Sequence, residues 1–333
     1  MGLRRVLATE RGTMKTHTVV IPLDGSRFAE AAVPAALKAA ATLGASVTFV
    51  SAYDDEVLVA GYPLDAAGIR TSYEDYLEDI AARVQSSSQV EVHTAVITGG
   101  ITKTLIEYVQ RTQPVMVVMA THGRGPMTRF WLGSVADRML RYVKMPVLLI
   151  RPSKAEDEQI DFSQAVDFKH ILIPLDGSDR SEEGLEWARR IAGDDAEFVA
   201  FRGISIPTIA TPYMPHTIQE TEHALSADRD EAERYLGEVT ERYAKEGLKL
   251  RGELMVGHST ASSILDATSE FDIDLTVITT HGRTGLARVL FGSVADKVIR
   301  GSSGPVLVVR TVHAAMDMDA ALVEETRNDA VNV

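Results

Sequence analysis

The chain repeats itself. Ile21-Pro22-Leu23-Asp24-Gly25-Ser26 returns as Ile173-Pro174-Leu175-Asp176-Gly177-Ser178, 152 positions further on. Thr121-His122-Gly123-Arg124 returns as Thr280-His281-Gly282-Arg283, Gly133-Ser134-Val135-Ala136-Asp137 as Gly292-Ser293-Val294-Ala295-Asp296, and Pro146 to Arg151 as Pro305 to Arg310, each 159 positions on. Four blocks recurring in one order mean two copies of one unit, and 333 residues allow each copy a core of its own. The step from 152 to 159 puts about seven extra residues in the second copy, around Ile206 to Asp228.

Within each copy, short apolar runs alternate with helical patterns. The runs are Thr18 to Leu23, Val47 to Ala52, Val90 to Val96, Val115 to Ala120 and Val147 to Ile150, matched by Ile171 to Leu175, Phe198 to Gly203, Leu250 to Val256, Leu275 to Thr279 and Val306 to Val309. Runs this short, Val- and Ile-rich and apolar at successive positions, read as parallel strands buried on both faces. Between them, Tyr73, Tyr76, Leu77, Ile80, Ala81 and Val84 share one helical face. The expected class is α/β: two tandem, doubly wound, parallel five-stranded sheets with right-handed crossovers. The expected boundaries are 17–152 and 169–311, with a polar, acidic linker at 153–168 and loose tails at 1–16 and 312–333. Trp131 and Trp187 fall on apolar helical faces and read as core.

Composition removes several functions. With a net charge of -13 and no basic stripe, the chain is not expected to bind nucleic acid. With no cysteine, it has neither thiolate chemistry nor Cys-ligated zinc. No stretch approaches the roughly 18–20 uncharged apolar residues of a membrane helix; Ala31 to Ala41 is the richest, yet it holds Pro34 and Lys38 and reads as amphipathic. No apolar leader precedes Glu10, and Val6 stands where myristoylation wants Ser or Thr. A cytoplasmic location is the expectation.

In an open doubly wound sheet the ligand crevice lies beyond the carboxyl ends of the strands, which is where Asp24 and Asp176 fall. Such a carboxylate can accept from ribose hydroxyls or a base amine; alternatively, Asp-Gly-Ser is only a turn and helix N-cap. After the fourth strand, Gly123 and Gly133-Ser134, and Gly282 and Gly292-Ser293, are each separated by nine residues. Glycine lets backbone approach a phosphate, and a helix beginning at Ser134 or Ser293 offers free N–H groups to an anion. Against this, Ser134 with Asp137 and Ser293 with Asp296 could be capping boxes that need no ligand. Arg124 and Arg129, recurring as Arg283 and Arg288, suit either phosphate or solvent. His122 and His281 lack partners at metal-ligand spacing and read as loop-ordering residues.

These motifs resemble, over nearly all of the chain outside its linker and tails, a tandem member of the universal stress protein family. That family's fold is adenine nucleotide alpha-hydrolase-like, and its ATP-binding signature is G-x2-G-x9-G-[ST]. The resemblance implies that Asp24 and Asp176 take the nucleoside, with Ala52 and Gly203 at the second-strand contact. It implies that Gly123, Gly133, Ser134, Gly282, Gly292 and Ser293 take the phosphates of ATP, with or without Mg²⁺. The signature's first glycine is replaced, by Ala120 in copy one and by β-branched Thr279 in copy two, which puts the second phosphate site in more doubt.

Three functions follow for comparison. A nucleotide-binding regulator without turnover fits the lack of a P-loop lysine and of a carboxylate pair for Mg²⁺ beside the glycines, weak hydrolysis apart. An adenylyl-transferring enzyme would usually show HIGH or SGG, and neither motif occurs. A scaffold that binds no nucleotide and contacts an unidentified protein partner fits the substituted glycines. The resemblance also implies pairing of the two units through their last strands, hiding apolar edges, with homodimerisation a further option. Val308→Lys is therefore expected to loosen the two units, read as an increased radius of gyration in solution scattering; unchanged compactness would contradict the pairing.

Overall fold

The computed structural model describes residues 17–54, 58–59, 62–63, 66–121, 132–152, 160–164, 166–193, 195–206, 215–280 and 292–310. They form two compact units, one ending at Val166 and the other starting at Asp167.

In the first unit the chain runs β1 (Thr18–Pro22), α1 (Arg27–Glu30), α2 (Val33–Leu43), β2 (Ser46–Tyr53), β3 (Leu58–Val59), β4 (Tyr62–Pro63), α3 (Ala66–Ser87), β5 (Val92–Thr98), α4 (Ile101–Thr112), β6 (Met116–Ala120), α5 (Ser134–Tyr142) and β7 (Val147–Ile150). Five strands form a parallel sheet in the order β5-β2-β1-β6-β7. The β3–β4 hairpin stands apart, antiparallel. The second unit runs β8 (His170–Pro174), α6 (Asp179–Ile191), β9 (Glu197–Ser205), α7 (Pro215–Lys245), β10 (Leu250–Gly257), α8 (Thr260–Glu270), β11 (Leu275–Thr280), α9 (Ser293–Gly301) and β12 (Val306–Arg310). Its sheet has the same plan, β10-β9-β8-β11-β12, again parallel. The tandem doubly wound fold expected from the repeat is the fold observed, and the hairpin is the one addition. The second unit's extra length goes into α7, 31 residues against 22 in α3.

Helices cover both faces of each sheet, so the central strands lose all contact with water. Val19, Val20 and Ile21 of β1 and Ile171, Leu172 and Ile173 of β8 are fully buried. At roughly 1.5–3 kcal/mol per buried large aliphatic side chain, these runs are the main source of cohesion. The helix after the first strand differs between copies for a local reason. Pro34 lacks an N–H and its ring clashes with the carbonyl four residues back, so α1 stops at Glu30 and α2 restarts with proline in its first turn. The second copy has Glu186 at the matching position and forms one continuous α6. Trp187, expected in the core, is only half-buried: it sits on the flank of α6, with the Arg190 guanidinium 4.1 Å from its ring centroid. Trp131 lies outside the described residues. Among the described residues no helix is long and apolar enough to cross a membrane.

The two copies also fill one core position differently. A Cβ on Gly184 of α6 would meet Thr279 Cγ2 at 3.4 Å and Ile173 Cγ2 at 3.3 Å. The matching first-unit residues, Ala32 and Ala120, are both buried. The second copy thus carries on its strand the bulk that the first copy carries on its helix. Thr279 is an ordinary ladder residue, paired with Val309, and needs no unusual backbone. Gly184→Ala should therefore be more stabilising, by about 1 kcal/mol, in a Thr279→Ala background than in the natural chain, where crowding offsets the gain in helix propensity. Urea denaturation of the four-member cycle measures the difference; additive effects would refute the contact.

Candidate functional site

In each sheet the strand order reverses beside the first strand. From β1 the chain winds outward to β2 and β5, whereas β6 and β7 lie on its other side; β8 and β11 repeat the arrangement. Connections leaving adjacent strands in opposite directions open a crevice at their carboxyl ends. The β1–β6 register pairs Val20 with Val117, and Asp24 and Thr121 each lie four residues further along. Leu172 pairs with Thr276, which brings Asp176 level with Thr280 in the same way.

Each aspartate begins a tight turn. Asp24 Oδ1 accepts from the Ser26 N–H at 2.9 Å and from the Ser26 hydroxyl at 2.5 Å, and Ser26 Oγ accepts from the Ala29 N–H to cap α1. Asp176 Oδ1 accepts from the Ser178 N–H at 3.0 Å and its hydroxyl at 2.6 Å, while Ser178 caps α6 through the Ser181 N–H. The intervening Gly25 and Gly177 have φ of 81° and 87°, a left-handed conformation that glycine adopts without strain. The turn-and-cap reading is therefore real. It engages Oδ1 and leaves both carboxylates at the crevice, Asp24 half-buried and Asp176 exposed.

Opposite the aspartates, Ala120 and Thr279 are buried ladder residues of β6 and β11. The Thr121 N–H donates to the Ile150 carbonyl, and the Gly133 N–H donates to the Thr121 carbonyl at 2.8 Å, so the ends of the intervening segment are tied together. Gly123, Gly282, His122, His281, Arg124, Arg129, Arg283 and Arg288 lie outside the described residues. Ser134 and Ser293 are exposed first residues of α5 and α9, whose N-caps are Gly133 (φ -56°, ψ 150°) and Gly292 (φ -54°, ψ 148°), with no side-chain cap hydrogen bond. The suggested capping boxes do not form. With glycine at the cap, each serine is one residue too far in, and Asp137 and Asp296 bond Arg141 at 2.7 Å and Arg300 at 3.0 Å instead. These two helix starts keep their positive dipole ends and offer backbone donors to an anion.

The second-strand positions differ in setting. Ala52 is buried, and Gly203 is a point of close approach, where a Cβ would meet Thr260 Cγ2 at 3.1 Å and Thr260 backbone at 3.4 Å. One residue earlier, buried Ser51 donates to the Leu23 carbonyl at 2.8 Å, and Arg202 makes the matching bond to the Leu175 carbonyl at 3.4 Å. Among the described residues no group of three His, Asp or Glu side chains could hold a metal ion.

Behind each aspartate turn lies a polar triad that the sequence reading did not pick out. In the first unit Glu30, 7% exposed, accepts from the Tyr76 hydroxyl at 3.3 Å and faces the Arg83 guanidinium at 3.4 Å. In the second, Glu182 accepts from the Tyr235 hydroxyl at 3.1 Å and from Arg242 at 2.7 Å. The signal was available: the glutamates repeat 152 positions apart, and the tyrosines and arginines 159. Burial, then Glu30, then the charge of Asp24 push the Tyr76 hydroxyl far above its usual range, which places the triad within electrostatic reach of the crevice. Burial and Glu182 push Tyr235 up to about 12.

A sequence profile of the universal stress protein family matches residues 15–151 and again 167–310. The universal stress protein Rv2005c of Mycobacterium tuberculosis is 27% identical over 313 residues, covering 89% of this chain and 98% of its own. The universal stress protein MJ0531 of Methanocaldococcus jannaschii is 34% identical over 145 residues, 43% of this chain and 82% of its own. Among solved structures, a universal stress protein from Archaeoglobus fulgidus superposes with a TM-score of 0.62 at 16% identity, covering 89% of this chain and 99% of that one.

The raised Tyr235 titration has a definite sign. Folding favours its protonated form, so its contribution is fully present below the usual pKa of 10.0 and is lost as pH rises through about 12. Tyr235→Phe should flatten the fall in urea midpoint over that interval; an unchanged slope would remove the triad from the account.

Proposed function

This chain belongs to the universal stress protein family, and on that premise we propose that it is a stress-response regulator that binds ATP and does not turn it over. The carrying observation is the pair of glycine-capped helix starts, α5 and α9, beside the strand ends that present Asp24 and Asp176. Anionic oxygens meet backbone donors and a helix dipole at one side of the crevice, and a nucleoside hydroxyl or amine meets a carboxylate at the other.

The chain's own groups fit such a ligand in a second respect. A Cβ on Gly292 would meet nothing within 4 Å, which is compatible with an anion approaching that helix start. Ser134 and Ser293 add exposed hydroxyls at the same place. Mg²⁺ would arrive with the nucleotide, its charge matched by phosphate rather than by a built protein cage. Binding without turnover is supported by the sequence, which carries no G-x4-G-K-[ST] phosphate-loop lysine. The regulatory output would be an altered contact with a protein partner in the cytoplasm, where ATP is abundant.

One observation favours the alternative, a scaffold that takes no nucleotide: each aspartate turn already satisfies itself through Ser26 or Ser178. The glycine caps separate the two readings. Serine at Gly133 or Gly292 suits the observed cap dihedrals, changes stability by only a few tenths of a kcal/mol, and turns its own hydroxyl onto the N–H groups a phosphate would use. Gly133→Ser and Gly292→Ser should each weaken a fluorescent ATP analogue roughly tenfold at their own unit, the loss of about one charge-assisted hydrogen bond. Saturable binding untouched by both changes would refute the phosphate site, and the absence of saturable binding in the natural chain would favour the scaffold.

A further inference from the structure

The triads of the two units are alike except in one respect. In the first unit Arg83 does more than neutralise Glu30. Its second terminal nitrogen donates to the Ile160 carbonyl at 2.9 Å, and its guanidinium lies 4.2 Å from the ring centroid of Phe162. Phe162 is buried although it belongs to the stretch expected to be a polar linker. In the second unit Arg242 bonds Glu182 and lies 5.5 Å from the ring of its own neighbour, Tyr243, on the same helix. Beyond its glutamate, the same guanidinium position therefore reaches a distant stretch of chain in one copy and, among the described residues, a ring of its own helix in the other.

We propose that Arg83 latches residues 160–163 onto α3 and that the latch tightens when a ligand fills the crevice beside Asp24. This rests on the nucleotide-binding reading above. The mechanical path is short. Asp24 and Ser26 form one turn, Ser26 caps α1, and the last residue of that four-residue helix is Glu30, whose N–H bonds the Ser26 carbonyl. A ligand that immobilises the Asp24 turn immobilises the Glu30 carboxylate with it. A fixed carboxylate holds Arg83 in the single orientation that also reaches Ile160 and lies flat on Phe162.

The seat is poised to open as well as close. An open cleft of about 440 Å³ is lined by Arg83, Ser86, Ser87 and residues 160–163, so water reaches the edge of the contact. Within the segment, the Ser163 N–H donates to Asp161 Oδ1 and the Gln164 N–H donates to the Asp161 carbonyl, a local turn that can lift as one piece. A few contacts with wet margins belong to the low-stability end of a folded unit, where small coupling energies change populations. By linkage, a latch that closes on ligand must also strengthen the ligand.

Hydrogen exchange of the full chain, followed in peptides covering 160–164 with and without saturating ATP, tests the coupling. Alongside, a titration with a fluorescent ATP analogue establishes occupancy. ATP should slow exchange of the Ser163 and Gln164 amides about fivefold or more, the lower end of typical coupling between sites. Arg83→Lys keeps a positive charge for Glu30 but lacks the second terminal nitrogen and the planar guanidinium. It should raise basal exchange in 160–164, abolish the response to ATP and weaken ATP by the same factor. Phe162→Ala should act likewise from the other side of the contact, whereas Arg242→Lys should leave exchange in 160–164 unchanged. Saturable ATP binding with no change in exchange overturns the latch alone; no ATP binding overturns both it and the reading on which it rests.

Discussion

Each unit is organised by the burial of a parallel strand on both faces. Backbone groups in β1 and β8 are satisfied within the sheet, and the side chains of Val19, Val20, Ile21, Ile171, Leu172 and Ile173 are fully buried hydrocarbon. A polar side chain along such a strand must find its hydrogen-bond partner inside the protein, as Thr18 does in Thr48, and is then not available to a ligand. Chemistry is displaced to the strand ends, where the ladder stops and the chain turns into a helix. Asp24 and Asp176 stand at the first such positions after the central strands, and the helix starts at Ser134 and Ser293 follow the strands next to them. The crevice is thus a by-product of close packing.

The aspartate turns show that structural and binding roles need not compete. Oδ1 in each turn is engaged by the following serine, which orients the carboxylate and caps the next helix in one arrangement. A carboxylate fixed in this way loses less freedom on meeting a ligand than one on a mobile side chain. The helices opposite make the reverse choice, with glycine at the cap and so no cap side chain to bond the first N–H groups. One wall of the crevice supplies a side-chain cap to its helix and the other does not.

Much of this was legible from residues alone. All ten sheet strands lie within two residues of the apolar runs, most plainly β1, β6, β7, β11 and β12, where burial on both faces leaves a short stretch rich in apolar residues. The hairpin of Leu58–Val59 with Tyr62–Pro63 was not legible, since two-residue strands carry no periodicity. The capping boxes failed by a single residue: Ser134-x-x-Asp137 has the right spacing, but the helix starts with Gly133 as its cap. The Glu30, Tyr76 and Arg83 triad was hidden for another reason. Each residue taken singly is an ordinary helix-surface type, and the partners lie 46 and 53 positions from Glu30. Phe162 escaped notice because one aromatic in an acidic stretch gives no pattern until an arginine from α3 is seen against it.

The unequal filling of one core position has a consequence for the chain's ancestry. Two halves descended from a common segment would trade parts freely if their cores had stayed alike, yet here each half has adjusted separately. A hybrid joining the helix start around Ala32 of one half to the β11 of the other would set Ala32 tightly against Thr279; the reciprocal hybrid would set Gly184 against Ala120 and leave the space underfilled. Compensation inside each copy makes exchange between them unfavourable, which tends to preserve the differences that let the halves diverge in what they do.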